Sequence, residues 1–359
     1  MTQDMTDDLS LILTDRGLTI SGWNSFRVTR GIERLPSDFE LTMTERYPGE
    51  LQQVVIGVGD AFQAKLGSDV VIAGYIDRFA PSIAAGQHSI QVSGRSKCAD
   101  LVDCAAEWPS NQISNSTAIS IAQKLCKPYK GLQASATGRH GDVIPQFSIM
   151  WGETAFEVIE RICRYQALLA YDGPDGNLIL SEVGTKKAAS GFKEGVNVQN
   201  ASIVYSGDQC YSQYVVRRLA MDNLSDTGLG GDILMTFDDP RITRHRRRYI
   251  IVESGDTAGG DVALRRGAWE ASRRAGRSYQ VRITTDNWRD SAGVLWTPNT
   301  LVPLELLSLH IASAEWLISE VTFKRDESGT TAELVIMPPG AFNVEPLLLF
   351  PSYPDVKPA

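Results

Sequence analysis

Four histidines, five cysteines and a few neighbouring carboxylates are the side chains in this 359-residue sequence best suited to metal or acid–base chemistry. Their spacing assigns them to neither. His88, His140, His245 and His310 lie far apart, and none falls in a His-Glu-x-x-His or Cys/His pattern of the kind that holds zinc. Cys98, Cys104, Cys126, Cys163 and Cys210 form an odd, scattered set without Cys-x-x-Cys, so they read as free thiols packed like small hydrophobes. Asp238-Asp239, Asp100/Asp103 and Glu157/Glu160 would bind a cation or share a proton only if folded toward one cleft; caps, salt bridges and solvated faces are their simpler use. Gly57-Val-Gly59-Asp-Ala-Phe lacks the third glycine and following helix of a dinucleotide fingerprint and reads as a turn. Gly228-Leu-Gly-Gly231 is not followed by Lys-Ser or Lys-Thr, and Ser93-Gly94-Arg95-Ser96 is not a hydrolase nucleophile elbow. No catalytic residue, cofactor or metal site is expected.

Arginine is distributed more tellingly. Residues 241–282 hold eleven arginines against Glu253, Asp256, Asp261 and Glu270, so this segment carries +7 within a chain of net charge −8. Its densest point is Arg244-His-Arg246-Arg247-Arg248, with Arg273 and Arg274 further on. Guanidiniums attract phosphate, which permits nucleic-acid contact. They also pair bidentately with carboxylates, and the rest of the chain is acidic, so a protein interface is the preferred role. Of the tryptophans, Trp288 and Trp296 bracket a loop and are assigned to an interface or a domain contact.

The elements that must position these residues are mostly short strands. Segments 9–13, 18–20, 26–32, 39–44, 53–58, 69–79 and 88–93 are rich in apolar and β-branched residues, punctuated by glycine and proline. Helices are expected at 97–106 behind Ser96, at 117–126, from Thr154 through a Thr154-Ala-Phe-Glu157 capping box, and at 261–276 capped by Asp261. A hairpin follows at 168–180, turned by Pro174, Asp175 and Gly176, and strands return at 201–205, 212–219, 248–253, 279–286, 301–310, 315–324 and 331–337. Ser225–Gly231 reads as a mobile loop, Asp326–Gly329 as a hairpin turn, and the proline-rich end as an extended tail. No repeat is evident by identity, although the two β-rich ends are open to being similar folds.

Composition agrees with a folded multidomain protein: 43% hydrophobic and 22% charged residues. No run of about 18 apolar residues suits a membrane span, and the acidic start does not resemble a secretory signal. Bottom-up, the chain is a β-rich α+β interaction protein.

Specific segments go further. Asp69-Val-Val-Ile-Ala-Gly-Tyr-Ile-Asp-Arg78, His88–Lys97, Asp100–Cys104, Trp151–Arg161, Asp175–Leu180, Trp269–Arg274, Gly293–Asn299 and Trp316–Val321 together resemble the baseplate hub proteins of Mu-like contractile-tailed phages and prophages, and also the T4-type central hub. Phe26–Arg30 and Phe39–Met43 fit that family's opening domain. The resemblance implies two similar antiparallel β-barrel-like ring domains plus two smaller α+β domains. These would be 1–95, then an α+β domain at 96–195, a second ring domain from 196–222 with 283–341, an Arg-rich α+β insertion at 223–282, and a tail at 342–359. It further implies a structural, non-enzymatic homotrimer that joins the sixfold tail tube to the trimeric central spike and contacts other baseplate proteins. DNA would pass its channel without specific binding, there would be no stable membrane insertion, and the particle would assemble in the bacterial host cytoplasm. A tail-associated cell-wall hydrolase and a DNA-binding protein centred on the arginines are the alternatives.

Overall fold

Alternation builds most of this molecule. In strand Leu9–Leu13 the leucines at 9, 11 and 13 are buried while Ser10 and Ile12 are only partly covered, the period of two that makes one face of a strand a core face. Each fully buried aliphatic side chain contributes about 1.5–3 kcal/mol, and the principal core gathers such residues from both ends of the chain. The computed structural model describes residues 8–44, 56–85, 87–138, 143–166, 168–220, 233–254, 260–327 and 329–342. Residues 53–55, His140, Ser225–Gly231 and the tail from 343 onward lie outside the described residues.

The largest element is a 13-stranded sheet. Its order is Asn200–Tyr205, Tyr279–Thr285, Gly329–Met337, Ile311–Asp326, Ser25–Gly31, Asp38–Thr44, Gln87–Ser96, Asp69–Ala84, Ala61–Leu66, Leu9–Leu13 and Leu18–Ile20. Leu301–Leu306 pairs with Ile311–Asp326, and Phe192–Lys193 adds to it in parallel. The two expected barrel-like units are therefore parts of one continuous hydrogen-bonded sheet, joined where Ser25–Gly31 pairs antiparallel with Glu320–Arg325.

Those two parts repeat each other in register. Strands Asp69–Ala84 and Ile311–Asp326 each have 16 residues, and corresponding residues differ by 242 in number, as Asp69 does from Ile311. Both strands carry a register shift at the same point, between Ile76 and Arg78 and between Ile318 and Glu320. Both hairpins close equivalently, Ala84 opposite Gln87 and Asp326 opposite Gly329. The same offset relates Phe39 to Val281, Leu41 to Ile283, Ile90 to Ala332 and Val92 to Leu334, all buried. Ser25–Gly31 and Asn200–Tyr205 close the two sets. Identity conceals this because burial demands only an apolar side chain at alternate positions.

The 98–182 region forms a separate α+β unit. Helices Ala99–Asp103, Ala118–Cys126 and Ala155–Gln166 pack with a two-stranded and a three-stranded sheet around their own core. The capping box is formed: Thr154 N–H donates to Glu157 at 2.8 Å, and Glu157 N–H donates to Thr154 Oγ1 at 3.2 Å. Ser96 does not cap the first helix. Its backbone N–H donates to Ser37 O, and Cys98 occupies the N-cap without a side-chain bond.

The insertion also differs from its expected limits. Gln213–Ala220, placed with the second ring domain, pairs instead with Ile233–Asp238 and Arg247–Ser254, beneath helix Gly260–Arg277. Tyr279–Thr285, which the boundary at 282/283 would divide, belongs wholly to the large sheet. The strand expected at 53–58 is not continued at 56–58; the neighbouring strand is Ala61–Leu66. The run 301–310 breaks after Leu306 into a single 3₁₀ turn, with His310 at φ +60°.

Candidate interaction surfaces

The arginine-rich segment is held largely by its own chain. Arg246 donates to the carbonyls of Gly207 and Asp208 at 2.6 Å each, and Arg247 donates to the Gln213 side chain. The guanidiniums of Arg246, Arg248 and Arg274 lie 5.0, 5.5 and 5.7 Å from the Tyr211 ring centre, a cation–π cluster of three around one phenol. Arg274 pairs with Glu270 at 2.7 Å. Arg273 reaches Glu33 at 3.3 Å, and Arg277 bonds the same carboxylate, so the helix docks on the first β-rich part. Burial lowers the pKa of Arg273 and Arg266, while each also lies over the ring of Trp269. Arg244 and His245 are exposed.

Trp288 and Trp296 make domain contacts inside the chain and offer no indole face to another molecule. Trp288 is 1% exposed, lies against Phe26 and Phe323, and donates its Nε1–H to Thr331 O at 2.8 Å. Phe26 belongs to the first β-rich part and Phe323 to the second, so the indole fills the junction between them. Trp296, 2% exposed, packs on Phe192 with ring centres 4.6 Å apart and donates to Asn287 O. As surface interface residues, the reading of both is corrected: a large apolar ring with its N–H satisfied is worth more in the core than at the rim.

The acidic pairs serve as structural partners. Arg95 holds Asp103 and Asp77 at 2.7 and 2.6 Å. The Arg95 hydrogen bond lowers the Asp103 carboxyl below its ordinary pKa, whereas burial, then the Asp103 charge, raises Asp100. Asp239 is tied to Arg241, Glu160 to Arg164 and Glu157 to the cap. Among the described residues no three His, Cys, Asp or Glu side chains are grouped to hold a metal ion.

The cysteines are free, and Cys104 is the exposed one. Burial pushes the Cys126 and Cys163 thiols up to about 12 and Cys98 well above its ordinary value, so little thiolate forms at neutral pH. Iodoacetamide at pH 8 should therefore label one thiol per native chain and all five after denaturation, counted by intact mass. Rapid labelling of a second thiol without denaturant would contradict this packing.

Three surfaces are left open. Trp151 is 91% exposed beside exposed Met150, in the bend before helix Ala155–Gln166. A polar face of the large sheet forms a groove of about 810 Å³ lined by residues including Arg27, Asp38, Glu40, Asp77 and Arg95. Several charges along it are paired, Arg27 to Asp38 at 2.8 Å and Arg95 to Asp77, while Arg78 also lines it; elsewhere, on the second β-rich part, Lys324 pairs with Glu333 at 2.6 Å. Finally, among the described residues the outer strand Asn200–Tyr205 and the half-strand Arg78–Ala84 each have one unpaired edge. Sequence reading missed these two edges; the spacing of 242 between similar apolar alternations was the available signal.

Comparison with known proteins places the chain. Residues 10–96 match the model of the Mu phage baseplate assembly protein GpP-like N-terminal domain. Residues 98–182 match the second domain of baseplate hub protein gp44-like sequences, and 260–345 match the fourth domain of GpP. Baseplate hub protein gp44 of Escherichia phage Mu is 30% identical over 340 residues, covering 91% of this chain and 87% of that protein. The 43 kDa tail protein of prophage MuSo2 from Shewanella oneidensis superposes with TM-score 0.82 at 29% identity, over 94% of this chain and 100% of that one. A tail protein of Neisseria meningitidis MC58 shares the fold at TM-score 0.75 and 19% identity, over 93% and 97% of the two chains.

Proposed function

The chain belongs to the baseplate hub family of Mu-like phages, a part of the virion tail, and from that membership we propose that it is a homotrimeric adaptor between the sixfold tail tube and the threefold central spike. The observation that carries this reading is the in-register repeat: one chain holds two equivalent four-stranded sets, joined by the pairing of Ser25–Gly31 with Glu320–Arg325. Three such chains present six equivalent sheets on one side of a ring and remain threefold elsewhere, where the α+β units and insertions differ. Closed rings of this kind arise when identical copies meet through unlike faces.

The polar sheet face suits a wall past which DNA slides. Arg27, Arg95 and Lys324 are paired with acids, which weakens any positive track for phosphate. The arginine segment, committed to Tyr211, Glu33 and Glu270, belongs away from such a channel in this reading. Arg244, at the exposed end of that segment, is left for contacts with neighbouring tail proteins. Assembly takes place in the host cytoplasm before the baseplate joins the tube, and the chain performs no catalysis.

Native mass measurement tests the stoichiometry. The expected species has three times the 39.3 kDa chain mass, and averaged images down its axis show six similar outer densities around a pore. A monomer or dimer at micromolar concentration, or a ring without a pore, would overturn the adaptor.

A further inference from the structure

The repeat has one seam inside the chain and implies a second that a single chain cannot make. Inside, Ser25–Gly31 lies antiparallel along the second half of the long strand Ile311–Asp326, with Arg30 opposite Val321, Val28 opposite Phe323 and Phe26 opposite Arg325. The equivalent of that long half-strand, shifted by 242, is Arg78–Ala84. It pairs with Gln87–Ser96 on one side, but among the described residues no strand lies on its other side, because Ala61–Leu66 pairs only as far as Tyr75. The equivalent of Ser25–Gly31 is Asn200–Tyr205, since Phe26 stands opposite Leu41 as Ala201 stands opposite Ile283. It is the last strand of the sheet.

We propose that Ala201–Tyr205 of one copy pairs antiparallel with Phe79–Ile83 of a second copy of this chain, in the register of the internal seam. Transferring that register sets Tyr205 opposite Phe79, Val204 opposite Ala80, Ile203 opposite Pro81, Ser202 opposite Ser82 and Ala201 opposite Ile83.

The side chains fit this occupant. One face of the seam joins Phe79, Pro81 and Ile83 to Ala201, Ile203 and Tyr205, an apolar set except for the Tyr205 hydroxyl, which donates to Leu309 O. Ile83 is 83% exposed in the single chain, and Tyr205 is 51% exposed. The corresponding internal residues Val321, Phe323, Val28 and Phe26 are buried. On the other face, the internal seam buries a hydrogen bond between Thr29 and Thr322, Oγ1 to Oγ1 at 3.1 Å. Its counterpart is Val204 against Ala80, with Val204 56% exposed in the single chain, so polar matching gives way to apolar contact. Open edges normally invite indiscriminate pairing. Pro81 withholds one backbone donor, which makes this edge a poorer template for strangers. The two edges are unlike, so each copy offers one to each neighbour and the contact is heterologous, the type that closes rings.

This deepens the hub reading, on which the count of three rests, and the test separates the two. In a Cys104→Ser background, Ser82→Cys with Ser202→Cys places exposed thiols opposite each other on facing strands, within disulfide reach. Mild oxidation should move most of the chain to a trimer band on a non-reducing gel, while either single variant stays monomeric there. Ser82→Cys with Ile203→Cys, whose side chains would point to opposite faces, should link at least tenfold less. A native trimer in which the first pair gives no cross-link, or links no better than the second, overturns the seam and spares the hub reading. A ladder continuing past trimer keeps the seam and overturns the threefold count; a chain monomeric by native mass overturns both.

Discussion

Replacing Trp288 by alanine should lower the stability of the chain by about 3–5 kcal/mol, the usual range for truncating a buried aromatic. The indole contributes on three counts. It fills the space between Phe26 and Phe323, removes a large apolar surface from water, and satisfies the carbonyl of Thr331. The first count distinguishes it from ordinary core residues, because Phe26 and Phe323 come from the two halves of the repeat. A cavity there loosens the joint that sets one four-stranded set against the other. Trp288→Phe should keep most of the packing and lose the hydrogen bond, at about 1–2 kcal/mol. Urea unfolding followed by circular dichroism checks both values. An alanine variant within 1 kcal/mol of the parent would show that the joint does not depend on this ring.

The second large effect is expected at Asp172, where the α+β unit meets the sheet. Its carboxylate accepts hydrogen bonds from Ser37 N at 2.8 Å and Ser37 Oγ at 2.6 Å. It is also the main charge supporting Arg30, a buried guanidinium whose pKa is lowered by desolvation and raised in opposition by Asp172. Asp172→Ala strands two buried Ser37 donors, at about 1–3 kcal/mol for each group left unsatisfied, and withdraws the nearby negative charge that favours the buried Arg30 cation. Asp172→Asn should be milder, since an amide oxygen still accepts from Ser37. Adding Arg30→Met to the alanine variant should restore part of the loss, because the stranded charge is gone. Equal melting temperatures for the parent and Asp172→Ala would refute this account. Full additivity of the two substitutions would show instead that the charges are not coupled.

Local signals were read well where one element suffices to express them. The Thr154-Ala-Phe-Glu157 box, the 169–181 hairpin and the Asp326–Gly329 turn all depend on residues within a few positions of one another. Strand Ile233–Asp238 was missed because its neighbours in sequence do not show which partner makes it a strand; Gln213–Ala220 does that from across the insertion. Asn299 illustrates the same limit. Its amide oxygen accepts from Gly184 N at 2.7 Å, and its nitrogen donates to Ser181 Oγ and Glu182 O. It thus ties the second half of the sheet to the end of the α+β unit at a φ of +65°. Nothing within seven residues of it announces that duty.

Composition and period determined by themselves that this chain is β-rich, interrupted by an α+β unit and an arginine-rich insertion, and the resemblance of particular segments pointed to phage tail hubs. These properties are local or compositional, and each residue carries its share of them. Tertiary structure alone decided that the two β-rich ends form one sheet, that three strands of each repeat at an offset of 242, and that Trp288 and Trp296 lie inside while, among the described residues, two strand edges lie open. Strand pairing joins backbone groups hundreds of residues apart and is almost indifferent to side-chain identity beyond the alternation of apolar and polar. The same alternation can therefore be written in unrelated residues, and only the paired backbone reveals that it was written twice.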